Sequence, residues 1–249
     1  MILESKKLFF RTVFAVLEDG KINELINSKK FSSIIIISHK KLALPGFRTK
    51  IKTTSVINLN EPEEEIFRKF NDTTRNEIRK TYKLPNINIT VDDKKFNEAY
   101  HLYKNFEYSQ NRIPFSKNNL ADCMVFSASF KGDMVSGIFV DVGENDLRIR
   151  YIFSKRLETE DKELYRTIAY ATRRLMWEIC LWGKANDFNS LDLASVNFKN
   201  PNVSNITKFK MSFGGEVINE YTYTYKSAAY YFLERFAVIK NVVKKIFRI

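Results

Sequence analysis

Only two cysteines, Cys123 and Cys180, and two histidines, His39 and His101, occur in 249 residues. That excludes a disulfide scaffold and leaves too few ligands for a four-coordinate zinc centre, so no bound metal or cofactor is expected. Cys180 falls on the apolar stripe of a long helical segment and Cys123 has no base beside it, so both read as core thiols. Nothing arranges the histidines into a catalytic triad. The glycine motifs that grip nucleotides are missing too. No apolar run approaches the roughly 18–20 residues that span a bilayer, and the opening MILESKK lacks the apolar stretch of a secretory signal. The expected location is the cytoplasm or the inner face of the cytoplasmic membrane. With eight glycines and five prolines, no linker interrupts the chain and no repeat is evident.

What is present is a core-forming chain, 44% apolar and 14% aromatic, with a net charge of +12 that is unevenly placed. Residues 1–60 hold eleven Lys/Arg against four Asp/Glu, residues 61–226 hold twenty-five against twenty-four, and residues 227–249 hold five against one. The excess at the two ends favours an anionic partner, phospholipid or nucleic acid, its alternative being a solubility feature of a lysine-rich proteome. In the last segment Phe232, Phe236, Ile239, Val243, Ile246 and Phe247 make one helical stripe, and Lys240, Asn241, Lys244, Lys245 and Arg248 the opposite arc. Such a basic amphipathic helix suits a membrane interface, and equally suits packing on the protein body or on a second subunit.

The pattern predicts strands at 8–16, 31–38 with its four isoleucines, and 53–59. A helix then starts at an Asn60–Glu63 capping box, breaks near Asn71-Asp72 and resumes through Lys80. A more regular series follows: a strand at 86–91, a helix at 94–108 and a short helix at 117–122. Three strands come next (124–131, 134–142, 147–154), joined by tight turns. A long helix over 161–182 is closed by Gly183, and a strand at 191–193, a helix at 206–212 and a strand at 216–225 complete the set. The order is α/β, and it is similar to the GNAT acyltransferase core, a mixed sheet with flanking helices whose fourth and fifth strands, here 147–154 and 191–193, splay apart to admit an acyl donor.

Two segments narrow the resemblance. Arg75-Asn76-Glu77-Ile78-Arg79-Lys80 resembles the R-x-x-I-R-K helix of FemAB-type aminoacyltransferases, which form peptidoglycan bridges. Phe209-Lys210-Met211-Ser212-Phe213-Gly214-Gly215 resembles that family's F-K-x-x-F-G-G signature. The likeness implies an abbreviated GNAT-like half over 1–83, a complete half over 84–226 and the basic helix over 227–249. It also implies an amide-forming N-acyl- or aminoacyltransferase whose acceptor is an amine on a lipid-linked amino sugar or a peptidoglycan stem peptide. The implied donor site holds Phe209, Phe213, Gly214, Gly215 and Arg156, with Lys210 stabilising the oxyanion or a donor phosphate. Acetyl-CoA users follow the fourth strand with a Q/R-x-x-G-x-G/A loop that grips pyrophosphate. Here Arg156-Leu157-Glu158-Thr159-Glu160-Asp161 lacks both glycines and carries three acids, which favours aminoacyl-tRNA or a differently held acyl-CoA.

Asp192, at the end of its strand, is the candidate general base, its alternative being a cap of the following loop. Glu107 and Tyr108 end the first core helix, and with Arg75 and Arg79 they are expected on the acceptor. Alternation puts Arg148 and Arg150 on one strand face, opposite Ile149, Tyr151 and Phe153. The arginine pair can hold a lipid-linked diphosphate or pair with nearby acids. Two rivals to catalysis remain, an RNA-binding module using the basic ends and a degenerate, inactive GNAT-like scaffold. The first lacks the sequence signatures of known RNA-binding modules.

Overall fold

The computed structural model describes residues 1–7, 9–91, 95–199 and 204–234. The chain divides into two compact units, Met1–Lys52 with the described residues from Asn219 onward, and Thr53–Ile218. The boundary expected at 83/84 therefore falls inside the second unit.

In the first unit, β1 (Ile2–Lys7) and β2 (Phe10–Val16) form an antiparallel hairpin. The sequence reading had merged the turn with the second strand, because the charged ILESKK run gave no apolar alternation. The short helix α1 (Ile22–Asn27), which buries Ile22 and Leu25, was not anticipated. Next comes β3 (Ser33–Ser38), parallel to β2 and antiparallel to β10 (Glu216–Lys226). Its isoleucines alternate, Ile34 and Ile36 being buried and Ile35 and Ile37 only partly covered. Ile34 and Ile36 pack with Val13, Ala15, Phe31 and Tyr223. The Tyr223 hydroxyl accepts the Leu42 N–H at 2.6 Å and donates to the Lys40 carbonyl at 3.3 Å, which pins the loop leading to β4 (Arg48–Asn58). The backbone is helical over 228–234, with Tyr230 edge-on to Phe10 at 5.5 Å. Of the expected amphipathic stripe only Phe232, which is exposed, belongs to the described residues; 235–249 lie outside them.

The second unit carries a sheet in the order β4-β9-β8-β7-β6-β5. Its members after β4 are β5 (Ile87–Val91), β6 (Met124–Phe130), β7 (Asp133–Val142), β8 (Asp146–Ser154) and β9 (Ser190–Val196). All neighbours are antiparallel except β8 and β9. One face is covered by α2 (Glu63–Lys69), α3 (Asp72–Thr81) and the long α5 (Lys162–Ala185), which meet Phe126, Ala128, Ile138, Val140, Leu147 and Ile149. The other face is covered by α4 (Phe96–Ser109), which meets Val125, Met134, Phe139 and Phe153. The α6 helix (Ser204–Met211) lies against β9. Segment order from β5 to β10 follows the sequence expectation, including the break between α2 and α3.

Four local expectations need correction. Helix α2 starts after Pro62 rather than at an Asn60 capping box, since proline at the cap fixes the entry dihedral without a donor. The segment at 117–119 is a single 3₁₀ turn. Gly183 does not close α5 but sits inside it, where a Cβ would run into Leu147 and Leu59. The alternation of β8 is broken, as described next.

Candidate acyl-transfer site

The parallel pairing of β8 with β9 covers only Asp146↔Ser190, Leu147↔Leu191 and Arg148↔Asp192. Beyond that rung β8 continues to Ser154, whereas β9 remains paired to β4 through Ser195 and Val196. The two strands therefore diverge, as the sequence led one to expect. What holds them apart is the last shared rung. The Asp192 carboxylate, 0% exposed, accepts from the Arg148 guanidinium and the Thr54 hydroxyl. It also takes the Ala194 N–H at 2.7 Å, which stabilises the left-handed turn at Ala194 (φ 60°). That turn shifts the β4/β9 register between Thr54 and Val56 and swings the end of β9 away from β8.

Asp192, expected as the general base, is enclosed and ion-paired in the structure. A fully buried carboxylate ion-paired to arginine presents no oxygen to a substrate amine. Arg148 is used up in the same pair, so it is not a free diphosphate ligand, and Arg150 pairs with buried Asp141 at 3.2 Å. Of the two readings for these arginines, pairing with acids is the one found.

Arg150 is skipped in the register, because Tyr151 faces Phe139 while Ile149 faces Val140. This bulge puts Ile149 against the α5 side and Tyr151 and Phe153 against α4, so the expected common face of Ile149 and Tyr151 is corrected. Tyr151 packs on Tyr103 with the rings tilted at 45° and 4.9 Å between centroids. Burial, then the neighbouring Tyr103, pushes the Tyr151 hydroxyl well above its ordinary value. Burial raises Tyr103 as well, partly countered by the Phe115 N–H donating to its oxygen at 3.1 Å. Both phenols stay protonated at neutral pH. Glu107 is buried beside them and binds Arg112 at 2.7 Å. Tyr108, the next residue on α4, turns outward and is 57% exposed. The loop after α4 exposes Ile113 (91%) and Phe115 (46%), and Phe115 packs on the Tyr151 ring at 5.6 Å.

On the α5 side, Lys210 of α6 reaches β9 past the point of divergence, its Nζ donating to the Ser195 carbonyl at 2.9 Å. Phe209 lies under the Arg173 guanidinium at 5.2 Å, and Arg156 stacks on Tyr165 at 4.1 Å. Arg173 forms an ion pair with Glu77 at 2.7 Å. Burial lowers its pKa, Glu77 opposes that, and repulsion from Arg156 adds to the lowering, which marks the two arginines as neighbours. The Nε of Arg156 is buried and makes no hydrogen bond.

The rest of the family-like signature is structural. Phe213 is 0% exposed and meets Phe70 edge-on at 5.2 Å, so its ring is enclosed in the core. Gly214 has φ 65°, and a Cβ there would collide with the Lys69 carbonyl; one at Gly215 would come within 2.5 Å of Ser55 Oγ. These glycines let the α6–β10 turn close onto the α2–α3 elbow, where the Asn71 N–H donates to the Ser212 carbonyl at 2.9 Å. Arg75 serves the same elbow, donating to the carbonyls of Arg68 and Phe70 and pairing with Asp72. Arg79 lies over the Phe67 ring at 5.4 Å. Arg75 and Arg79 thus stand on the α5 side, whereas Glu107 and Tyr108 stand on the α4 side, and the expected acceptor set does not converge.

At the start of α5, Asp161 caps the helix by accepting from the amides of Glu163 and Leu164, at 2.8 and 3.3 Å. Those are the amides that would otherwise grip a pyrophosphate. The adjoining cavity, about 520 Å³, is lined by Asp133, Glu158, Asp161 and Glu163 against Lys131 and Lys155, an unfavourable surface for a polyanion. Tyr103, Tyr151, Asp141 and Arg173 escaped sequence reasoning. The bulge hides Tyr151, and only the fold brings Tyr103 and Asp141 to it.

No family model matches the chain, and no curated protein matches its sequence. Solved structures do match. FemX superposes with a TM-score of 0.62 at 10% identity, over 89% of this chain and 83% of that one. The C-terminal domain of a protein from Agrobacterium fabrum named as a lysylphosphatidylglycerol synthetase gives 0.55 at 12%, over 98% and 85%. L-PGS from Bacillus licheniformis gives 0.53 at 15%, over 91% and 81%. The chain therefore has a FemAB-type, GNAT-like fold.

Proposed function

We propose that this protein is an N-acyl- or aminoacyltransferase that forms an amide on an amine of a cell-envelope precursor. The observation that carries this is the divergence of β8 and β9 at the Arg148–Asp192 rung, with cationic groups on one side of the gap and buried phenols on the other. The reaction forms one C–N bond and breaks one acyl C–O or C–S bond, and the proton shed by the amine ends on the leaving oxygen or sulfur. Lys210 is the cation nearest the opening on the α5 side and would stabilise the oxyanion. Tyr151, kept protonated by burial, would return a proton to the leaving group.

The donor is either aminoacyl-tRNA or an acyl-CoA held in an unusual way, and the first is favoured. Asp161 occupies the helix end that would take pyrophosphate, and the neighbouring cavity is acidic. Positive charge sits instead on Arg156 and Arg173, which suits a single phosphate. The acceptor would enter on the α4 side, where Ile113 and Phe115 are exposed beside Tyr151. Apolar side chains there favour a lipid-linked amino sugar over a peptidoglycan stem peptide, and one of the similar structures bears the name of a lysylphosphatidylglycerol synthetase. Calorimetry tests the donor. Acetyl-CoA is expected to bind more weakly than about 100 μM, within the upper part of the usual KM range, and a low-micromolar Kd would restore an ordinary acetyltransferase reading.

A further inference from the structure

The positive excess of residues 1–60 takes no part in the site above, which lies wholly within Thr53–Ile218. Three of its eleven cations are paired locally, Arg11 with Glu4, Lys21 with Glu18 and Lys40 with Asp19. The first half of β4, Arg48-Thr49-Lys50-Ile51-Lys52, gathers three of the others on one strand. All five residues are exposed, and β9 pairs with β4 only from Thr53 onward. Strand alternation puts Arg48, Lys50 and Lys52 on one face and Thr49 and Ile51 on the other. None of the three cations makes an ion pair or a side-chain hydrogen bond among the described residues.

We propose that Arg48, Lys50 and Lys52 form a docking ribbon for the phosphate backbone of RNA. Same-face residues on a strand recur about every 6.6 Å, a separation of the same order as that between consecutive backbone phosphates. A rigid strand presents the three charges in line at no cost in loop ordering. A bilayer is the less suitable partner, because interfacial binding needs apolar side chains on the face that carries the cations. Here the one exposed apolar residue, Ile51, points away from them. Phosphate contacts of this kind position a nucleic acid without reading its sequence. The proposal rests on the first unit alone and stands whether or not the chain transfers acyl groups.

The test uses the full chain and a fluorescent oligouridine of about 20 nucleotides, titrated at several salt concentrations. Three contacts to a single strand contribute a slope of about −2 in log K against log salt, or roughly 20-fold weaker binding at 200 mM than at 50 mM. The triple variant Arg48→Gln/Lys50→Gln/Lys52→Gln should lose about two units of slope and bind at least tenfold more weakly at low salt. The control Lys6→Gln/Lys29→Gln/Lys30→Gln removes the same charge from exposed positions elsewhere in the unit and should leave the slope unchanged. Absence of RNA binding by the native chain, or an equal loss in the control, overturns the proposal. So does a ribbon variant that still binds oligouridine but no longer sediments with phosphatidylglycerol vesicles, which would make the strand a lipid contact.

Discussion

At the scale of single residues, burial separates groups that can react from groups that cannot. Lys210 reaches the gap from a half-buried position, so Lys210→Ala should cut turnover about a hundredfold, as loss of an oxyanion donor does. Its melting temperature should shift little, because the side chain is only half-buried and is held to a backbone carbonyl rather than packed in the core. Full activity in the variant would remove Lys210 from the mechanism. The thiols behave in the opposite way. Burial raises both, and the negative charge of Asp141 raises Cys123 further. Neither should react with a thiol reagent at pH 8 until the chain unfolds, when both label; modification of the folded protein would contradict their placement. The same groups set an alkaline limit. Cys123, Cys180, Tyr103 and Tyr151 hold their protons more tightly folded than unfolded, where they titrate from about 9 to 10. The folded state then binds more protons as pH rises, so stability is level below pH 9 and falls above it. Denaturant midpoints measured from pH 8 to 11 should show that fall, less steep in Tyr151→Phe.

At the scale of elements, two contacts hold the site in shape. Replacing Asp192 with asparagine removes the carboxylate that the buried Arg148 guanidinium pairs with across the rung and should cost about 3–5 kcal/mol. The double variant Arg148→Met/Asp192→Leu, which removes both charges of the pair, should be more stable than Asp192→Asn and still inactive if the pair positions the strands. A catalytically competent double variant would return Asp192 to no role at all. Gly214→Ala should destabilise by at least about 2 kcal/mol, since it combines a left-handed backbone with a collision against the Lys69 carbonyl; a neutral result would show that the α2–α3 elbow yields. The extent to which sequence revealed these elements follows from their physics. Apolar periodicity and turn residues located β5 to β10 because those signals are local. The resemblance of Phe209–Gly215 to a family signature led to the right neighbourhood, but assigned to donor binding what Phe213, Gly214 and Gly215 do for packing. The bulge at Arg150 left no mark in the sequence, so strand alternation put Tyr151 on the wrong face. Asp192 and Arg148 were both singled out, yet their pairing depends on two strands 44 residues apart in sequence meeting at one rung.

At the scale of the whole molecule, no described helix is long and apolar enough to cross a membrane, and the charge pattern that first suggested an anionic partner resolves into separate parts. The first-unit excess includes an unpaired strand ribbon, the second unit is nearly balanced, and the final basic segment extends past the described residues. Vesicle sedimentation with and without 232–249 decides what that segment does: loss of binding on truncation, with partial release near 0.5 M salt (a Debye length of about 4 Å), is expected of a membrane contact. Undiminished binding would leave the tail a structural part. The central claim is that the gap between β8 and β9 transfers an acyl group to an envelope amine. It is tested most directly by incubating the protein with radiolabelled aminoacyl-tRNA, or with labelled acetyl-CoA, together with lipid-linked precursors, and following the label into the butanol-extractable fraction. The account predicts transfer from aminoacyl-tRNA that Lys210→Ala reduces about a hundredfold. Transfer from neither donor, or transfer that Lys210→Ala leaves intact, would contradict it.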